Sequence, residues 1–167
     1  MSDPSETPAP NQPRLEAAAA LVKAELGEDA LEEAYLNALS GDAPTLVLAA
    51  DRVDEAAALF RSHETLRCTY LRNLSGIDCE THMEVIYHLM ALESGEDYVL
   101  KTKLDREAPS VPSVTAVWPA ANWNEREAYD LLGIVFTGHP DLRRIMMPDD
   151  WEGHPLRKDY APLDSEV

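Results

Sequence analysis

Three runs of strand-forming residues follow one another along the chain: CTYLRNLSGI, MEVIYHLMAL and YVLKTKL, between Cys68 and Leu104. Their β-branched and aromatic residues suit a pleated, half-buried surface. The third run alternates, placing Tyr98, Leu100, Thr102 and Leu104 on one side, and LESGED before it is a turn signal. The runs are read as an antiparallel meander. A sheet of that kind buries one face, so helices are expected to cover it.

The flanking sequence supplies those helices. RLEAAAALVKAELG, from Arg14, sets Leu15, Ala18, Leu21, Val22 and Leu26 along one stripe and stops at Gly27. Two short strands are expected around SGDAP, the second near Thr45 to Ala49, then a helix from about Val53 to Ser62 with Asp51 as its N-cap. From Ala108, prolines break a linker, and a further helix runs from about Trp123 to Leu132. Asn122 with Glu125 three residues on looks like a capping box, and Gly133 sits where the helix should end. The fold class is therefore α/β of the α+β kind: a two-layer domain over 14–138 with a mostly antiparallel sheet covered by helices. A flexible leader, 1–13, precedes it, rich in proline and poor in apolar residues, and a long irregular extension, 139–167, follows.

Composition excludes several functions. Hydrophobic residues at 45% can build a core, and the balance of 14 basic against 31 acidic residues, a net charge of −17, repels a phosphate backbone. Nucleic acid is not an expected partner. The acidity serves either solubility alone or docking to a basic partner. No apolar run approaches the ~20 residues of a membrane span, and the N-terminus lacks the features of a signal peptide. A cytosol-like, reducing compartment is expected, with Cys68 and Cys79 as free thiols.

Chemical motifs are scarce. There is no CxxC, no GxGxxG, no GxxxxGK[ST] and no GxSxG, so neither a metal, a cluster nor a nucleotide is expected in this chain. His139 and His154 could meet in space but have no carboxylate or thiolate beside them, and His63, His82 and His88 read as surface or sheet residues. Glu125, Glu127 and Asp130 could supply a general acid and base from one helix. The simpler reading gives them to the helix dipole and to an Arg126–Asp130 ion pair.

The segment His139 to Tyr160, HPDLRRIMMPDDWEGHPLRKDY, has no helical or strand periodicity. Yet it sets Arg143, Arg144, Arg157 and Lys158 among Leu142, Ile145, Met146, Met147, Trp151, Leu156 and Tyr160, the mixture found in interface cores. It is expected to be mobile in the free chain and completed by another protein. Arg143 and Arg157 would pair with partner carboxylates, and Trp151 would fill a pocket.

EREAYDLLGIVFTGHPDLRRI, Glu125 to Ile145, resembles the signature of the 30-kDa subunit family of respiratory complex I, the C subunit of NADH–quinone oxidoreductase. Its pattern falls on Glu125, Arg126, Glu127, Asp130, Leu131, Leu132, His139 and Arg143 with no departure. DDWEGHPLRKDY continues the likeness, so the specific match covers about Asn122 to Tyr160. The chain is most similar to the short form, the J subunit of the cyanobacterial and plastid NDH complex, through LMALESG, APSVPSVTAVWPAANW and an end soon after RKDY.

The resemblance implies a non-catalytic structural subunit in the hydrophilic arm of a proton-translocating NAD(P)H- or ferredoxin-quinone oxidoreductase. It would be peripheral, attached to the membrane only through its complex, at the cytoplasmic or stromal face of a thylakoid. It would bind no cofactor; iron–sulfur clusters and quinone would belong to its partners, the quinone-site (49-kDa-type) subunit and the terminal iron–sulfur cluster subunit. Glu125, Arg126, Glu127, Asp130, His139, Arg143, Arg144, Trp151, His154, Arg157, Lys158 and Tyr160 are the residues expected at partner contacts. Two other readings stand beside it: a free-standing acidic adaptor, and an independent enzyme using Glu125, Asp130 and a histidine.

Overall fold

The meander is present in the computed structural model, which describes residues 9–162. Strands β1 (Leu31–Asn37), β2 (Ala43–Leu48), β3 (Tyr70–Asp78), β4 (Met83–Ala91) and β5 (Glu96–Leu104) form one sheet in the order β1-β2-β5-β4-β3. Every neighbouring pair is antiparallel except β2 and β5, which run parallel. That places β2 and β5 inside the sheet, which is why Leu46, Val47 and Leu48 form an unbroken apolar run and are all buried.

Helices α1 (Gln12–Leu26) and α2 (Val53–Ser62) accompany the sheet, and Phe60 meets Tyr98 edge to face at 5.6 Å. Burying a side chain of that size contributes roughly 1.5–3 kcal/mol. α2 spans the predicted residues, but its N-cap is Arg52 with no side-chain bond, and Asp51 lies in a preceding 3-10 turn. α1 begins two residues before the expected boundary, with proline in its first turn where a missing N–H costs nothing. The leader thus loses Gln12 and Pro13 to the helix, and its residues 1–8 lie outside the described part.

The stretch read as a linker belongs to the core. β6 (Ser110–Pro112) pairs in parallel with β7 (Val135–Thr137), and α3 (Ala121–Leu132) connects them. Val111, Val114 and Trp118 are buried, and the Trp118 indole donates to the Cys68 carbonyl at 3.0 Å. Prolines interrupt this stretch, yet its large apolar side chains stay buried. α3 lies against β3 so closely that a Cβ on Gly76 would stand 2.7 Å from Leu132 Cδ1 and 2.8 Å from Ile134 Cδ1. Glycine is what permits that approach.

Candidate partner-docking site

α3 starts at Ala121 without a side-chain cap, so Asn122 and Glu125 form no capping box. Glu125 instead points inward and is fully buried. Its carboxylate accepts from Ser113 Oγ at 2.6 Å, Thr115 Oγ1 at 3.1 Å and the Val114 N–H at 2.8 Å, with His139 Nε2 3.9 Å away. Burial pushes this carboxyl above its ordinary range, and the donors around it only partly oppose that shift. The Asp141 N–H donates to His139 Nδ1 at 2.9 Å, which leaves the ring proton on Nε2, 3.3 Å from the Asn122 carbonyl.

Asp130, on the same helix, is also fully buried but has a different neighbourhood. One oxygen accepts three successive backbone N–H groups of the tail: Ile145 at 3.0 Å, Met146 at 2.6 Å and Met147 at 2.9 Å. The other takes Arg144 Nη1 at 2.7 Å. Burial alone would raise this carboxyl; the Met147 N–H, the Arg144 guanidinium and the other two amides outweigh it and hold it below the usual carboxylate range. Asp130 therefore makes no ion pair with Arg126. Arg126 reaches the carbonyls of Arg143 and Arg144 at 3.2 and 3.3 Å and lies over the Trp123 ring at 5.0 Å.

The end of α3 is capped by the tail. A helix leaves its last carbonyls without partners. Here His154 Nδ1 lies 2.8 Å from the Asp130 carbonyl, the Leu156 N–H donates to the Leu131 carbonyl at 2.9 Å, and Arg157 donates to Leu132 at 3.1 Å. Gly133 takes the left-handed conformation, φ 77°, and a Cβ there would sit 2.8 Å from His154. Further along, the Lys158 N–H donates to Asp78, which pairs with Arg106 through two 2.8 Å bonds, and Arg157 donates to the Arg106 carbonyl at 2.8 Å. Arg106 above all holds the Asp78 carboxyl far below its usual range.

The tail therefore has no helix or strand after β7 among the described residues, as expected, and much of its backbone is bonded to this chain's own groups. Glu125, Asp130, His139, Arg144, His154 and Arg157 are engaged within this chain. Arg157 in particular is turned onto carbonyls, with Asp159 at 3.6 Å, rather than outward to a partner carboxylate. His139 and His154 sit at opposite ends of α3 and do not meet. What the tail presents outward is different: Met146 at 63% exposure, Leu156 at 60% and the Arg143 side chain at 68%, while α3 exposes Trp123 at 62%. Trp151 and Tyr160 are half-buried, Glu127 lines a shallow groove with Leu131 and Leu156, and Lys158 extends to Glu80 at 3.2 Å. The sequence offered no signal for Ser113, Thr115, Asp78 or Arg106, because their partners lie far along the chain. It did offer one for a second cluster, Cys79, His82 and Glu84, whose spacing C-x2-H-x-E brings three donor atoms within 4.8 Å of one another.

The chain matches the model of the respiratory-chain NADH dehydrogenase 30-kDa subunit over residues 46–166. It belongs to that family. The C subunit of NADH-quinone oxidoreductase from Roseiflexus sp. strain RS-1 is 49% identical over 119 residues, covering 70% of this chain and 68% of the relative. The corresponding protein of Moorella thermoacetica is 46% identical over 121 residues, covering 71% and 80%. Among solved structures, the trypsin-resistant fragment of Nqo5 superposes with a TM-score of 0.61 at 30% identity, covering 78% of this chain and 98% of the fragment. A chain of an archaeal membrane-bound sulfane sulfur reductase has the same fold, with a TM-score of 0.72 at 21% identity over 91% of this chain and 88% of that one. The fold of this family member is the mixed α/β arrangement expected, with a mostly antiparallel sheet and helices. None of its described helices is long and apolar enough to cross a membrane.

Proposed function

We propose that this chain is a non-catalytic structural subunit of the hydrophilic arm of a complex I-like quinone oxidoreductase, and that α3 with its bound tail is the surface through which it docks. The observation that carries the reading is the division of labour in the tail. Its backbone is fixed by Asp130, Asp78 and the end of α3, while Met146, Leu156, Arg143 and Trp123 stay outside. Arg and large apolar side chains held at low entropic cost are what an interface core needs. The two buried carboxylates spend their oxygens on this chain's own donors, which disfavours the independent acid–base enzyme.

The partners that fit are the quinone-site (49-kDa-type) subunit and the terminal iron–sulfur cluster subunit, which would hold the quinone and the clusters that this chain does not. Attachment to the membrane would come only through them. The narrower alternative is a ferredoxin-fed, plastoquinone-reducing, proton-pumping complex at a thylakoid surface. It rests on a likeness in the LMALESG and APSVPSVTAVWPAANW stretches, whereas the bacterial NADH-quinone oxidoreductase relatives favour a quinone oxidoreductase without that restriction. Affinity capture of the full chain from native membranes, with mass identification of what co-migrates, tests the assignment. Recovery of a quinone-site subunit and a cluster-bearing subunit is expected, and recovery of neither overturns it.

A further inference from the structure

The hairpin that joins β3 to β4 meets the tail at Asp78 and Glu80 and carries a second arrangement beside that contact. Asp78 and Met83 are paired and buried, Glu84 follows on the opposite face of β4, and Cys79 and His82 flank the turn between the two strands. The turn is closed by the Cys79 N–H donating to the His82 carbonyl at 2.9 Å and the Thr81 N–H donating to the Cys79 carbonyl at 2.8 Å, with Glu80 at φ 67°. His82 Nε2 already lies 3.1 Å from Glu84 Oε1, and its Nδ1 is 2.9 Å from Thr81 Oγ1. When Nδ1–H donates to that hydroxyl, Nε2 keeps its lone pair for a ligand, the arrangement that outer partners give metal-binding histidines.

We infer that this hairpin tip is a binding site for one divalent cation of the zinc class, held by Cys79 Sγ, His82 Nε2 and a Glu84 oxygen. Sulfur and imidazole beside a single carboxylate favour zinc over magnesium or calcium, which want oxygen ligands. Three protein donors leave the fourth tetrahedral position to water. The donors lie within 4.8 Å of one another. Zinc–ligand bonds of about 2.0–2.3 Å call for separations near 3.5 Å, a closure of about 1 Å that side-chain rotation supplies. Binding sends the thiol proton to solvent. It also competes with Lys101, whose Nζ is 3.1 Å from Glu84 Oε2 and neutralises the carboxylate when no ion is there.

Titration of the reduced full chain with cobalt(II), followed by its thiolate-to-metal charge-transfer absorption, tests this. The band should saturate at a single equivalent and be displaced by zinc. Cys79→Ser should abolish it, and His82→Gln or Glu84→Gln should weaken binding at least about tenfold. Lys101→Met, which frees a Glu84 oxygen, should tighten it severalfold. An unsaturable signal, or a band that survives Cys79→Ser in a folded chain, overturns the assignment. Should Cys79→Ser misfold, the Lys101→Met arm decides, since unchanged affinity there contradicts the site.

Discussion

The sheet and the tail are held by opposite means. Between β1 and β5, stability comes from apolar residues repeated at strand and helix spacing, and ion pairs such as Arg67–Glu93 and Arg72–Asp97 lie on the exposed surface. Between His139 and Tyr160 hardly any side chain is deeply buried, and order comes from two carboxylates, Asp130 and Asp78, that collect backbone N–H groups, together with an arginine and a histidine that cap α3. A periodic region can lose one contact and keep its register. A region held at two carboxylates depends on each of them.

Asp130→Ala breaks this comparison most severely. It strands three amides and the Arg144 guanidinium, and removing one side of such a buried pair costs about 3 kcal/mol or more. The loss should be local: amides 145–147 should lose hydrogen-exchange protection while β3, β4 and β5 keep theirs. Gly76→Ala probes the place where the two regions meet. A methyl group forced against Leu132 and Ile134 should cost about 1–3 kcal/mol by denaturant unfolding, with α3 and the tail affected together.

Acidity separates the two buried carboxylates of α3. Asp130 is depressed, so its contribution is fully present above the pH where a free aspartate titrates, about 3.9, and is lost as pH falls through the lower folded value. Glu125 is raised, so its contribution is present below about 4.3 and is lost as pH rises through the higher folded value. Urea unfolding against pH should therefore show the penalty of Asp130→Asn growing from acid to neutral pH. The penalty of Glu125→Gln should shrink over the same range. Parallel profiles would show that the two sites are not distinguished by their donors.

How legible this was in the sequence follows from range. α2 and the meander are readable because Val53, Ala56, Ala57 and Phe60, or Tyr98, Leu100, Thr102 and Leu104, repeat at helical or strand spacing. Gly133 is readable because a left-handed helix end has a local signal. Asp130 reads as a surface residue because its donors lie 14 to 17 residues away, and Asp78 meets Lys158 across 80 residues. No local pattern encodes such partners. Trp118 and its neighbours read as a linker for the same reason: prolines hide a buried stretch that has no period. The family signature does mark Glu125 and Asp130, but not that both turn inward.

The smallest expected effect in the isolated chain belongs to Arg143→Ala. Its guanidinium is exposed and, among the described residues, pairs with Asp141 alone, at 2.9 Å, so stability should change by less than about 0.5 kcal/mol. Its incorporation into the complex should nonetheless fall, read as the amount of variant co-migrating with partner subunits. Normal incorporation would remove Arg143 from the docking surface.

The central claim is that the tail is folded by its own chain before any partner arrives. Hydrogen exchange on the isolated wild-type chain at neutral pH tests it most directly. The account predicts that the amides of Ile145, Met146, Met147, Leu156 and Lys158 exchange much more slowly than those of an unstructured peptide, and that Asp130→Asn releases the first three. Exchange of these amides at the unstructured rate in the wild-type chain would contradict it, and would leave the ordering of the tail to its partners.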